Sequence, residues 1–295
     1  MEIDAQVRAL LDAGSKLGEG VLWDAGRSVV WFVDIKRHYL WNYDPATGSN
    51  SRAEAPGQIG WALPAEGGLL LCGLKDGLHT FDPETQRFEK LMAVPGEPAG
   101  NRLNDACTDP WGRVWFGSMD DAEEAASGRF YVFDRGDIRP AGPSGIGITN
   151  GPAVSGSGDR IYFTDTTGQK IMVADLSADG SVSDARPFVD TGALFPEAYP
   201  DGPIVDAEDH VWTGLYLGGR VARFSPDGEL VATVAMPARD ITKMALGGAD
   251  LKTAFVTTAT KNMEPGDFAA WPEAGKLLSF DSPVAGVAPT QVKLG

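Results

Sequence analysis

The chain has 295 residues, 43% of them hydrophobic, with a formal net charge of −16 and a pI near 4.5. So acidic a surface repels phosphate backbones and argues against a nucleic-acid partner. No run of about 18 apolar residues is present to span a membrane, and 2 cysteines without CxxC spacing exclude a zinc ribbon or a disulfide-stapled scaffold.

Met1–Gly14 is acidic and has no apolar stretch of signal-peptide type, so a cytoplasmic protein is expected. Within it, Ile3–Leu11 has a strand-like apolar pattern and precedes the first hairpin. The hairpins then follow one another at Val21–Ile35, Trp61–Gly73, Ala106–Met119, Ala153–Thr166, Ile204–Tyr216 and Met244–Ala259. In the third, Asp109-Pro110-Trp111-Gly112 is a tight-turn sequence leading into the strand-like Val114-Trp115-Phe116. Each hairpin is followed by a second apolar pair of strands, from Tyr39–Gly48 in the first to Lys276–Pro283 in the last. A repeat of roughly 40–50 residues is the period of a four-stranded propeller blade. A β-sandwich seldom repeats a whole four-strand unit. The expectation is an all-β, six-bladed β-propeller forming one domain over residues 1–295. Its N-terminal strand would close the last blade by pairing near Thr290–Lys293.

In a propeller the first strand of each blade lines the central channel, so residues at the start of these strands converge at one mouth. Blade one opens with Leu17-Gly18-Glu19-Gly20, a carboxylate between glycines that would otherwise read as a solvated turn. Blade two opens with Gly60-Trp61 and brings no charge. Blade three opens with Arg102-Leu103-Asn104-Asp105, blade four with Thr149-Asn150-Gly151-Pro152 and blade five with Tyr199-Pro200-Asp201-Gly202. In an extended strand Arg102 and Asn104 share a face, so both aim at the channel mouth while Leu103 enters the blade. Glu19, Asn104, Asn150 and Asp201 together make an all-oxygen set of formal charge −2, a hard-cation site suited to Ca²⁺, Mg²⁺ or Mn²⁺, with Fe²⁺ also admissible.

Other motifs carry nothing. Asp175–Gly180 resembles the start of an EF-hand loop but has Arg186 where the bidentate Glu is required. The 3 histidines accompany no GxSxG elbow, and no GxGxxG or GxxxxGK[ST] is present.

Leu17-Gly18-Glu19-Gly20, Arg102-x-Asn104-Asp105, Gly117-Ser118-Met119, Thr149-Asn150-Gly151-Pro152 and Tyr199-Pro200-Asp201-Gly202, in this order and spacing, resemble the regucalcin/gluconolactonase family. Val21 departs from the Pro usual after Gly-Glu-Gly. The resemblance implies one divalent cation (Ca²⁺, Mg²⁺, Mn²⁺, Fe²⁺ or Zn²⁺) held by Glu19, Asn150 and Asp201, with Arg102 and Asn104 on the substrate. For the attacking water, Asp201 as catalytic base and a cation-bound hydroxide are both open. It implies hydrolysis of a pentono- or hexono-lactone, such as xylono-, arabinono- or gluconolactone, by a monomer or weak oligomer. Asp121 and Glu123 are both open as a further substrate contact. Two alternatives are a phosphotriesterase of the diisopropyl-fluorophosphatase type and a non-catalytic calcium-binding propeller.

Overall fold

The computed structural model describes all of residues 1–295, and it is built almost entirely of antiparallel strands. Buried aspartates at the hairpin turns hold the repeat together. Asp24, Asp109 and Asp206 accept the indole N–H of Trp31 (3.3 Å), Trp115 (2.9 Å) and Trp212 (2.8 Å) on the following strand. Each also accepts a backbone N–H from its own turn and pairs with an arginine: Arg27, Arg113 or Arg223. A buried carboxylate satisfied on several sides ties the turn to the strand that leaves it.

Four repeats form separate four-stranded sheets. They run Gly18–Asp24 to Asn50–Glu54, Ile59–Pro64 to Arg87–Met92, Asn101–Thr108 to Asp137–Ile146, and Thr149–Val154 to Arg186–Asp190. Apolar residues fill the space between neighbours, as where Trp61, Leu63 and Leu71 of the second sheet meet Leu103, Phe116 and Tyr131 of the third. The first strands of the repeats neighbour one another in a closed cycle, completed where Thr242 of the last repeat donates to Gly18 O of the first and Trp23 stacks on Phe255 of the adjoining strand. The fold is therefore propeller-like.

Six separate blades are not what forms. The last two repeats run together into one curled eight-stranded sheet, in which Tyr199–Val205 and Asp240–Gly247 meet through a parallel bridge between Gly202 and Lys243. The physical reason is the bare backbone of Gly202: a Cβ there would lie 2.8 Å from Lys243 Cγ, so only glycine lets the two strands touch.

The N-terminal strand also departs from expectation. It is confined to Arg8–Leu11 and pairs with Leu277–Asp281, at the edge of the eight-stranded sheet, rather than near Thr290–Lys293. The latter segment crosses to the second and third sheets, where the Val292 N–H donates to Pro64 O and the Lys293 N–H to Gly112 O. Cys72 and Cys107 are both free thiols, Cys107 on a first strand and Cys72 on a second. No helix is long and apolar enough to cross a membrane.

Deleting residues 1–11 should uncover the edge of Leu277–Asp281 and strip Leu10 and Leu11 from the cluster around Trp41 and Phe255. The expected result is a lower melting temperature and aggregation on gentle heating. A truncated protein as stable and soluble as the full chain would contradict this assignment of the edge.

Candidate active site

Every first strand breaks its pairing register near its start, between Glu19 and Leu22, Ile59 and Trp61, Leu103 and Ala106, Asn150 and Ala153, Pro200 and Pro203, and Ile241 and Met244. Such a break re-aims the side chains around it and is common beside functional sites. Here it turns Glu19, Asn104, Asn150 and Asp201 toward one cavity, which Arg102 also lines. All five are buried, from 2% exposed for Arg102 and Asn150 to 5% for Asp201.

Two halves can be distinguished within the site. In one, Glu19 and Asp201 line the same cavity, near enough for the Glu19 charge to act on Asp201. Each carboxylate accepts the next backbone N–H, Gly20 for Glu19 (3.0 Å) and Gly202 for Asp201 (2.9 Å), which fixes its direction. Neither is ion-paired with a lysine or arginine. Burial first, and then the neighbouring Asp105, pushes Glu19 up to about 7, and burial together with the Glu19 charge raises Asp201 well above the carboxylate range.

The other half is a relay of amides. Arg102 Nη1 donates to Asn104 Oδ1 at 2.5 Å, Asn104 Nδ2 donates to Asn150 Oδ1 at 3.0 Å and to Thr149 O, and Asn150 Nδ2 donates to Thr166 Oγ1 at 2.9 Å. Asn104 thus spends its polar atoms linking Arg102 to Asn150. Arg102 Nη1 also donates to Leu103 O and Nε points toward the Asp121 carboxylate, so Nη2 is the guanidinium nitrogen left without a protein partner.

The two acidic candidates after Met119 separate. Asp121 stands behind Arg102, its carboxylate 3.5 Å from Arg102 Nε and bound by Lys36, Lys75 and Gln58 at 2.7 Å each. Glu123 lines the cavity and pairs with Lys261 across its mouth. Tyr199, at the start of the fifth repeat, lines the wall, and so do four residues that no motif marks: Thr166, Tyr216, Lys261 and Asn262. Thr166 and Tyr216 are the last residues of two hairpin repeats, which is a usable signal. Lys261 and Asn262 follow the last hairpin in a stretch without periodic pattern.

The donor chemistry fits a hard divalent cation. Two desolvated carboxylates and an amide oxygen converge with no cationic side chain bound between them, an arrangement whose charge repulsion a cation would relieve.

A model of the SMP-30/Gluconolactonase/LRE-like region matches residues 17–260 of this chain. Among known proteins, the 6-deoxy-6-sulfogluconolactonase of Pseudomonas putida is 30% identical over 93% of this chain and 94% of its own. The L-arabinolactonase of Azospirillum brasilense is 31% identical over 96% and 94%. A crystal structure described as a calcium-binding protein, regucalcin, from Agrobacterium tumefaciens superposes with a TM-score of 0.92 at 26% identity, covering 97% of each chain.

The raised carboxyls give a pH dependence. Between 4.5 and about 7 the folded, cation-free protein holds a proton on Glu19 that the unfolded chain releases, so this contribution to stability is lost as pH rises through that window. Glu19→Gln should therefore raise the melting temperature of chelator-treated protein by several degrees at pH 8 and change it little at pH 5. Equal effects at both pH values would show that the Glu19 carboxyl is not strained by burial.

Proposed function

The chain belongs to the SMP-30/gluconolactonase/LRE-like family, and we propose that it hydrolyses a pentono- or hexono-lactone to the aldonic acid with one divalent cation held by Glu19, Asn150 and Asp201. The observation that carries this reading is the meeting, in one buried cavity, of the cation-type donor set with Arg102, whose Nη2 has no protein partner. Relatives named for sulfogluconolactone and arabinolactone hydrolysis support the substrate class.

When bound, the cation supplies Lewis-acid polarisation of the lactone carbonyl. The remaining work falls to side chains. Arg102, its Nη1 fixed by Asn104 and its Nε by Asp121, presents Nη2 to the sugar oxygens and orients the ring. Asp201 keeps one oxygen on the Gly202 N–H and has the other for a proton of the attacking water. That proton returns to the ring oxygen as the acyl C–O bond breaks, so that lactone and water give the hydroxy acid. Leu17, Met119 and Ile148 supply an apolar part of the cavity wall.

A panel of five- and six-carbon aldonolactones, assayed with stripped protein and each added ion, tests the proposal directly. Glu19→Gln or Asp201→Asn should weaken cation binding at least tenfold, about 1.4 kcal/mol, and Asp201→Asn should lose turnover even at saturating cation. Arg102→Ala should lower kcat/KM by roughly 10–1000-fold while sparing cation affinity, with smaller loss on a lactone lacking hydroxyls. A protein that binds the cation but turns over no lactone would favour a calcium-binding scaffold, and turnover of phosphotriesters alone would favour that hydrolase class.

A further inference from the structure

The strand Asp240–Gly247 brings no side chain to the cavity wall, yet it buries a cation at the axis. Lys243 Nζ donates to Asp105 Oδ1 at 2.6 Å, and both side chains are almost wholly enclosed. The contacts of this pair lead to each residue proposed to hold the cation. Asp105 Oδ2 accepts the N–H of Gly151, next to Asn150, at 2.8 Å. The Lys243 backbone bridges to Gly202, next to Asp201. Thr242 Oγ1 donates to the carbonyl of Gly18, next to Glu19, at 2.6 Å. Asp105 itself follows Asn104.

We propose that Asp105, Lys243 and Thr242 form a positioning hub that sets the separation of Glu19, Asn150 and Asp201; the inference rests on the reading that these three hold a divalent cation. The need for a hub is geometric. The three donors stand on first strands of three different repeats, so the ladder within any one sheet does not fix how far apart they lie. A cation site tolerates misplacement of only about 0.5 Å. An ion pair suits the task because its opposite charges add no net charge beside two carboxylates, while its hydrogen bonds have direction that apolar packing lacks. The hub acts through the neighbouring backbone and touches neither substrate nor cation.

The test replaces the pair without changing net charge. Asp105→Val with Lys243→Met stays near the original volume, and such exchanges of a buried ion pair are often neutral or stabilising. Wild type and variants are compared by circular dichroism, melting of the cation-free protein, and calorimetric titration with Ca²⁺ and Mn²⁺. The expected result is a double variant that melts at or near the wild-type temperature but binds the ion at least tenfold more weakly. Thr242→Val should likewise weaken binding severalfold, and Thr242→Ser, which keeps the hydroxyl, should restore it. If the double variant does not fold, the Thr242 substitutions decide alone. Wild-type affinity in the double variant or in Thr242→Val, or Ser failing as Val does, overturns the hub. A wild-type protein that binds neither ion overturns the cation site itself.

Discussion

Two carboxylates buried in one cavity set the central constraint of this molecule. Glu19 and Asp201 are removed from water, repel one another and have no lysine or arginine bound between them. Desolvated like charges are costly, and a fold keeps them only where surrounding contacts over-determine their positions. Those contacts are visible: a backbone N–H on each carboxylate, the amide relay from Arg102 to Thr166, and the Lys243–Asp105 pair at the axis. The site is acidic on one side and holds a guanidinium edge on the other, which polarises the cavity along a single direction.

The repeat explains how so specific a site arises from so regular a scaffold. Each first strand carries a register break at the same place, and thus each repeat presents a residue at the same address. What is presented differs. Four repeats bring an acid or an amide, the second brings glycine and tryptophan, and the last brings Thr242 and Lys243, which face the neighbouring strands. The aspartate turns hold the far ends of three of these strands with the same Trp–Asp–Arg chemistry. Sameness at the far end keeps the ring closed, and variation at the near end makes the site.

The sequence by itself determined the strands, the hairpin turns, the family and the common address of Glu19, Arg102, Asn104, Asn150 and Asp201. All of these depend on patterns a few residues long: alternation of apolar side chains, Asp-Pro and Gly turns, and motifs at the start of each repeat. Only the tertiary structure decided that the last two repeats share a sheet, that Arg8–Leu11 pairs with Leu277–Asp281, and that Asp121 backs Arg102 while Glu123 faces the cavity. It alone paired Lys243 with Asp105 and Lys261 with Glu123, in both cases across 138 residues of chain. The physical reason is range. A turn or a strand is encoded by neighbours that touch in any conformation, whereas a contact between distant residues exists only after the ring has closed and brought them to the axis.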